Sequence, residues 1–145
     1  MPGPPRDRPL PGHAFQVEID GVALARFQEV SGLGVEVDVI EYRVGDDKVH
    51  APRKLPGLHH VSDVTLKRGI TGDLSLWEWV QRTLVGDPDR RAVQIRLIDA
   101  RAEPVLSFRL HEAWPVAFTG PTLVAGGSQV AVETLVLCHE RLEIV

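Results

Sequence analysis

The chain has 145 residues, 43% of them apolar, which is enough for one self-sufficient core and excludes a wholly disordered protein. Sixteen Lys and Arg against twenty Asp and Glu leave a net charge of -4, which speaks against the basic surface of a nucleic-acid module. Cys138 is the single cysteine, and no apolar run reaches the roughly 20 residues of a membrane span, so disulfide frameworks, cysteine-based zinc sites and membrane insertion are set aside.

Residues 1–12, MPGPPRDRPLPG, hold five prolines and no apolar h-region of a secretory signal. Proline removes backbone donors and fixes φ, so residues 1–13 are expected to form a flexible arm ahead of a single domain over 14–145. A small soluble domain in a reducing compartment is the expectation.

From Phe15 the apolar period is two, the mark of half-buried strands. Phe15, Val17 and Ile19 alternate with Gln16, Glu18 and Asp20. Asp20-Gly21 reads as a hairpin turn, with a second apolar stretch from Val22 to Phe27. Val35, Val37 and Val39 share one parity before it flips to Ile40 and Tyr42, which predicts a bulge near Val39. Residues 43–60 carry Gly, Pro and charge and are expected to form a long loop. Val64 and Leu66 resume the alternation. Residues 73–85, DLSLWEWVQRTLV, break it: Asp73 opens a helix whose apolar arc holds Leu74, Leu76, Trp77, Val80 and Leu84. Trp79 falls outside that arc, on the face expected to meet water, where it needs a partner or a covering segment. Alternation returns at Val93–Leu97 and Leu106–Leu110. A long strand over about 129–140 is apolar on both faces, which implies a second layer or a neighbouring subunit.

Catalytic patterns are sparse. His50, His59 and His60 share the predicted loop with Asp46 and Asp47, without the defined spacing of a zinc site. His111-Glu112 and His139-Glu140 are sequence neighbours on strands, where adjacent side chains point to opposite faces. There is no G-x-S-x-G elbow and no P-loop, and Cys138 lies in an apolar strand, as a core thiol does. The basic pairs Lys67-Arg68 and Arg90-Arg91 read as solvated. No catalytic residues, metal ligands or cofactors are assigned, and the chain is expected not to be an enzyme.

A set of segments in fixed order carries a more specific signal. These are VEIDG at 17–21, FQEVSGL at 27–33, YRVG at 42–45, KLPG at 54–57, VTLKRG at 64–69, LWEW at 76–79, AWP at 113–115 and VAVETLVLCHE at 130–140. With them the chain resembles the tail-tube protein family of contractile phage tails, and within it the inner-tube proteins of extracellular contractile injection systems. Two departures fall at turns: Ala-Arg-Ala-Glu-Pro after Asp99, and His139-Glu140-Arg141 before Leu142, where relatives commonly place a glycine.

The resemblance implies a mainly β fold: an antiparallel β-barrel or sandwich with one flanking helix, over about residues 73–85. It implies hexameric rings stacked into a hollow tube, assembled in the cytoplasm and carried in a phage tail or a released injection particle. Implied partners are further copies of the chain, sheath, baseplate and other tube proteins, and lumenal cargo. By analogy Arg53, Lys54, Leu55, Pro56, Gly57 and Leu58 meet an adjacent subunit or ring, with Trp79 as a further contact or covered within its own chain. Gln94, Arg96, Ser107 and Arg109 are candidates for the lumen wall. Two alternatives stay open: an initiator ring joining tube to baseplate, and a monomeric ligand-binding β-barrel.

Overall fold

In a computed structural model, residues 14–24, 27–43, 45, 51–128 and 130–145 are described. The proposed arm over 1–13, together with Asp46, Asp47, His50 and Gln129, lies outside the described residues.

The elements in chain order are β1 (Phe15–Ile19), β2 (Val22–Leu24), β3 (Phe27–Ser31), β4 (Val35–Tyr42), β5 (Arg53–Val61), β6 (Val64–Gly69), α1 (Ser75–Leu84), β7 (Arg91–Ile98), β8 (Pro104–Thr119), β9 (Val132–Cys138) and β10 (Arg141–Ile144). β1 and β2 form the expected hairpin, with Ile19 opposite Val22. Asp20 and Gly21 both have positive φ, 51° and 78°, the backbone twist that suits a two-residue turn between right-twisted strands. At the turn after Asp99, its carboxylate accepts the backbone N–H groups of Arg101 and Glu103 at 2.8 and 3.0 Å. Ala102 there takes φ 59°, the conformation a glycine would supply.

The order β2-β1-β7-β8-β9-β6-β3 is antiparallel at every pairing. β8 holds the fold together because it serves two sheets. Its first part pairs with β7 and β10, and Trp114–Thr119 pairs with β9. Between the two parts Glu112 has φ 55°, so the strand turns a corner there.

Inward residues of both sheets meet as the period predicts: Val17, Ile19, Val93, Ile95 and Leu110 from one, Val64, Leu66, Leu135 and Leu137 from the other. Each is under 5% exposed, and such burial stabilises by roughly 1.5–3 kcal/mol per side chain. The predicted long strand over 129–140 is shorter. His139-Glu140 makes a turn, and the chain returns as β10 beside β8.

The helix starts at Ser75, with Leu74 at the N-cap and not the expected Asp73; the Asp73 carboxylate accepts the backbone N–H and the hydroxyl of Ser75, each at 3.0 Å. Those two hydrogen bonds, with the Arg68 guanidinium 3.5 Å away, hold the Asp73 carboxyl below its usual range despite some burial. The buried face of the helix is Leu76, Trp79 and Val80, which keeps Leu76 and Val80 of the arc expected from the helical wheel and adds Trp79. Leu74 and Leu84 of that arc are exposed, and Trp77 leans on Phe118 with ring centres 5.4 Å apart.

Arg68 is the main buried cation among the described residues, contrary to the solvated reading of the Lys67-Arg68 pair. Its Nε donates to Glu133 Oε1 at 2.5 Å, its Nη2 donates to the Asp73 carbonyl at 3.3 Å, and its guanidinium lies 5.6 Å from the Phe27 ring centre. Removing one partner of such a pair strands a charge. Glu133→Ala is therefore expected to destabilise the fold by about 3 kcal/mol, while Glu133→Ala with Arg68→Met recovers most of the loss. Urea denaturation of the two variants checks this.

A candidate self-assembly surface

β4 and β5 form a two-stranded sheet of their own. Residues 53–60 are therefore strand, where a loop was expected. The register is Val35 to Val61 and Val37 to His59, then shifts to Val39 with Pro56, Ile40 with Leu55 and Tyr42 with Arg53. The extra residue lies in β5 at Gly57-Leu58, so the bulge sits on the strand facing Val39. A Cβ on Gly57 would stand 3.1 Å from Ile40 Cγ1 and 3.2 Å from the Asp38 carbonyl oxygen, a tight approach that its neighbours would have to give way to by a few tenths of an ångström. The loop expectation failed for a local reason: Pro56-Gly57 looks like turn chemistry, and the bulge breaks the parity of β5.

β4 keeps its alternation, so the parity flip seen in the sequence puts an apolar cluster on each face of the hairpin, beside Glu41, Lys54 and His59 on one and Glu36, Asp38, His60 and Arg53 on the other. Val35, Val37, Val39 and Pro56 lie on one face, and Ile40, Tyr42 and Leu55 on the other. All are exposed, Val39 by 62% and Leu58 by 75%. A projecting, two-sided apolar ribbon is an aggregation hazard in a monomer and a bonding element in an assembly. Lys54 and the other predicted contact residues Arg53, Leu55, Pro56, Gly57 and Leu58 all fall on this ribbon. His60 Nε2 lies 2.9 Å from Asp38 Oδ2 across the strands, an ion-pair geometry that no metal is needed to explain.

Trp79 is a different case. The ring is 0% exposed, which corrects its placement on a water-facing side and leaves no surface for a neighbouring subunit. The indole N–H donates to the Asp89 carbonyl at 2.6 Å, and the Arg91 guanidinium covers the ring at 5.0 Å. Arg91 is itself held by Asp89 at 2.7 Å. Among the described residues its cover includes the segment after the helix.

Gln94, Arg96, Ser107 and Arg109 share the face of the β7–β8 sheet opposite the core, since their partners in register alternate with Val93, Ile95, Phe108 and Leu110. Arg96 pairs with Glu18 on β1 and reaches Gln94 Oε1 at 3.4 Å. Arg109 stands between Gln94 and Glu143 in register and is exposed. On the same sheet His111 Nε2 meets Glu143 Oε1 at 2.6 Å, with Arg141 3.3 Å from that oxygen. This face is mixed in charge.

The remaining reactive side chains are structural. His139 is 5% exposed, with Nε2 2.8 Å from the Ser62 carbonyl and Nδ1 3.3 Å from that of Arg141. It ties the base of the β4–β5 hairpin to the end of β9. Sequence reading missed it, because its partner is 77 residues away. Burial, then the charges of Asp63 and Glu140, pushes the Cys138 thiol up, away from the thiolate a nucleophile requires.

An antiparallel β-sandwich with a separate hairpin that exposes apolar side chains on both faces is suited to association with other chains. Over residues 11–143 the sequence matches the family of T4-like virus tail tube protein gp19, and the chain belongs to that family of tail-tube proteins. Among curated proteins none matches its sequence. Among solved structures it is similar to a chain of the sheath–tube complex of the extracellular contractile injection system PVC in the extended state. That likeness has 25% identity and a TM-score of 0.86, covering 97% of this chain and 93% of the other. It is also similar to a chain of the 6-fold symmetrised baseplate of the anti-feeding prophage, at 25% identity and a TM-score of 0.81, covering 96% and 97%. Hcp1 of Flavobacterium johnsoniae shares the fold at 14% identity and a TM-score of 0.55, covering 90% of this chain and 93% of its own.

Proposed function

We propose that the chain is the inner-tube subunit of a contractile injection system or phage tail, that six copies close into a ring, and that rings stack into a hollow tube. The observation that carries this reading is the β4–β5 hairpin, which exposes apolar side chains on both faces in the single chain of a tail-tube family member. Among the described residues β2 and β10 are the edges of the β7–β8 sheet, along which copies can lie side by side. The protein acts mechanically, without turnover or cofactor: a sheath drives the tube, and the lumen carries cargo. The face with Gln94, Arg96, Ser107 and Arg109 is proposed as the lumen wall, the core side being filled. Sheath and baseplate are the proposed partners, with assembly in the cytoplasm before the particle is released.

The likeness to a baseplate chain supports a second reading, an initiator ring that joins tube to baseplate. Electron microscopy with light scattering of the purified protein, alone and with its cognate baseplate proteins, tests both. Tubes that lengthen with concentration are expected for a tube subunit, and single rings would identify an initiator. A monomer that ignores the baseplate would overturn both.

A further inference from the structure

The helix carries a second apolar stripe that its own chain does not cover. Leu74, Trp77, Leu84 and Val85 run along one flank, with the exposed Gln81 among them, beside the buried face of Leu76, Trp79 and Val80. Their exposures are 61, 39, 71 and 81%. Trp77 rests on Phe118, so the stripe continues onto β8. Glu78 borders it on the wheel, and Asp87 follows at the helix end. The side chains of Glu78 and Asp87 make no ion pair among the described residues, whereas Asp73, Asp89 and Glu133 nearby are all paired.

The hairpin supplies the complement. Each of its faces carries exposed apolar side chains, and the ammonium of Lys54 on β5, opposite Glu41 in register, makes no ion pair among the described residues. The apolar clusters of the ribbon, with Lys54 among them, and the stripe of the helix, with Glu78 at its border, belong to one chain yet do not pack together among the described residues. We propose that the flank of α1 is the seat of the β4–β5 hairpin of a second copy, with Lys54 facing Glu78. The contact joins two different patches, so it is head-to-tail and repeats from copy to copy instead of closing a two-fold dimer. It rests on the tube reading for the fact of assembly and adds the receiving surface.

The test changes the receiving side alone. Leu84→Glu and Glu78→Lys are at exposed positions and are expected to leave the melting temperature of the unassembled chain unchanged. Each is expected to raise the concentration for half-assembly, read by sedimentation velocity, about tenfold. Lys54→Glu behaves like Glu78→Lys, and the two together restore most of the wild-type value, which loss of fold cannot mimic. In wild-type protein the fluorescence of Trp77 shifts to the blue on assembly, and Trp77→Phe removes the shift.

Normal tubes from Leu84→Glu, or a charge swap that fails to rescue, would overturn this seat and leave the tube reading standing. A wild-type chain that never assembles, even on its baseplate, would overturn the tube reading itself and this seat with it.

Discussion

Gly32→Ala is expected to lower the melting temperature by roughly 10 °C, corresponding to about 3 kcal/mol for a domain of this size. Two costs add. The backbone at Gly32 has φ 86°, where an alanine costs about 1 kcal/mol. A Cβ there would also lie 2.1 Å from the Asp63 carbonyl oxygen and 3.2 Å from its carbon, both backbone atoms that no rotamer change can move. Gly21→Ala separates the two terms: φ is 78°, but nothing lies within 4 Å of the added atom, so only about 1 kcal/mol is expected. Gly32 sits where the chain leaves β3 and passes into β4, and Gly34 then accepts the Ser62 N–H at 3.1 Å. Crowding this joint shifts the root of the hairpin. Assembly is therefore expected to fail below the temperature at which the variant unfolds. Calorimetry beside light scattering on the same sample would show the gap, and coincident loss would mean that Gly32 matters to the core alone.

Much of the fold could be read from the sequence because strand alternation and turn chemistry are local. Phe15 to Ile19, the Asp20-Gly21 turn and the inward rows at Val93–Leu97 and Leu106–Leu110 follow from period two. Where reading failed, the deciding contact lay far along the chain or on another copy. Arg68 looks solvated until Glu133, 65 residues later, is beside it. Trp79 looks exposed because Leu74, Trp77 and Leu84 pull the apolar centre of the helix toward a flank that its own chain leaves open. The Asp89 carbonyl that receives its indole N–H belongs to a turn with no apolar signal. The hairpin shows both halves of the lesson. Its parity flip at Ile40 was visible, but the compensating bulge at Gly57 was not, because Pro56-Gly57 within a strand has the composition of a loop. The contact residues Arg53 to Leu58 came from family resemblance, and alternation alone would not have picked them.

Leu58→Lys is expected to separate folding from assembly most sharply. Leu58 is 75% exposed and lies at the bulge of a ribbon that forms its own two-stranded sheet. A charge there meets water in the single chain, so the change in stability should stay within about 0.5 kcal/mol, or a degree or two in melting temperature. In the proposed tube contact the same position is covered by a neighbour, and a lysine ammonium in a desolvated apolar contact costs at least the roughly 2–3 kcal/mol of a hot spot. That converts to a weakening of each contact by about 100-fold. Because every copy repeats the contact, the loss compounds along the tube, and rings without stacks, or monomers, are the expected end point in electron micrographs. Leu66→Ala gives the reverse pattern. Leu66 is 1% exposed in the core, so its loss should lower stability by about 3 kcal/mol while the chains that remain folded still assemble. A Leu58→Lys protein that forms normal tubes would place the ribbon on the outside of the particle, and its apolar faces would then have to meet the sheath instead of another tube subunit.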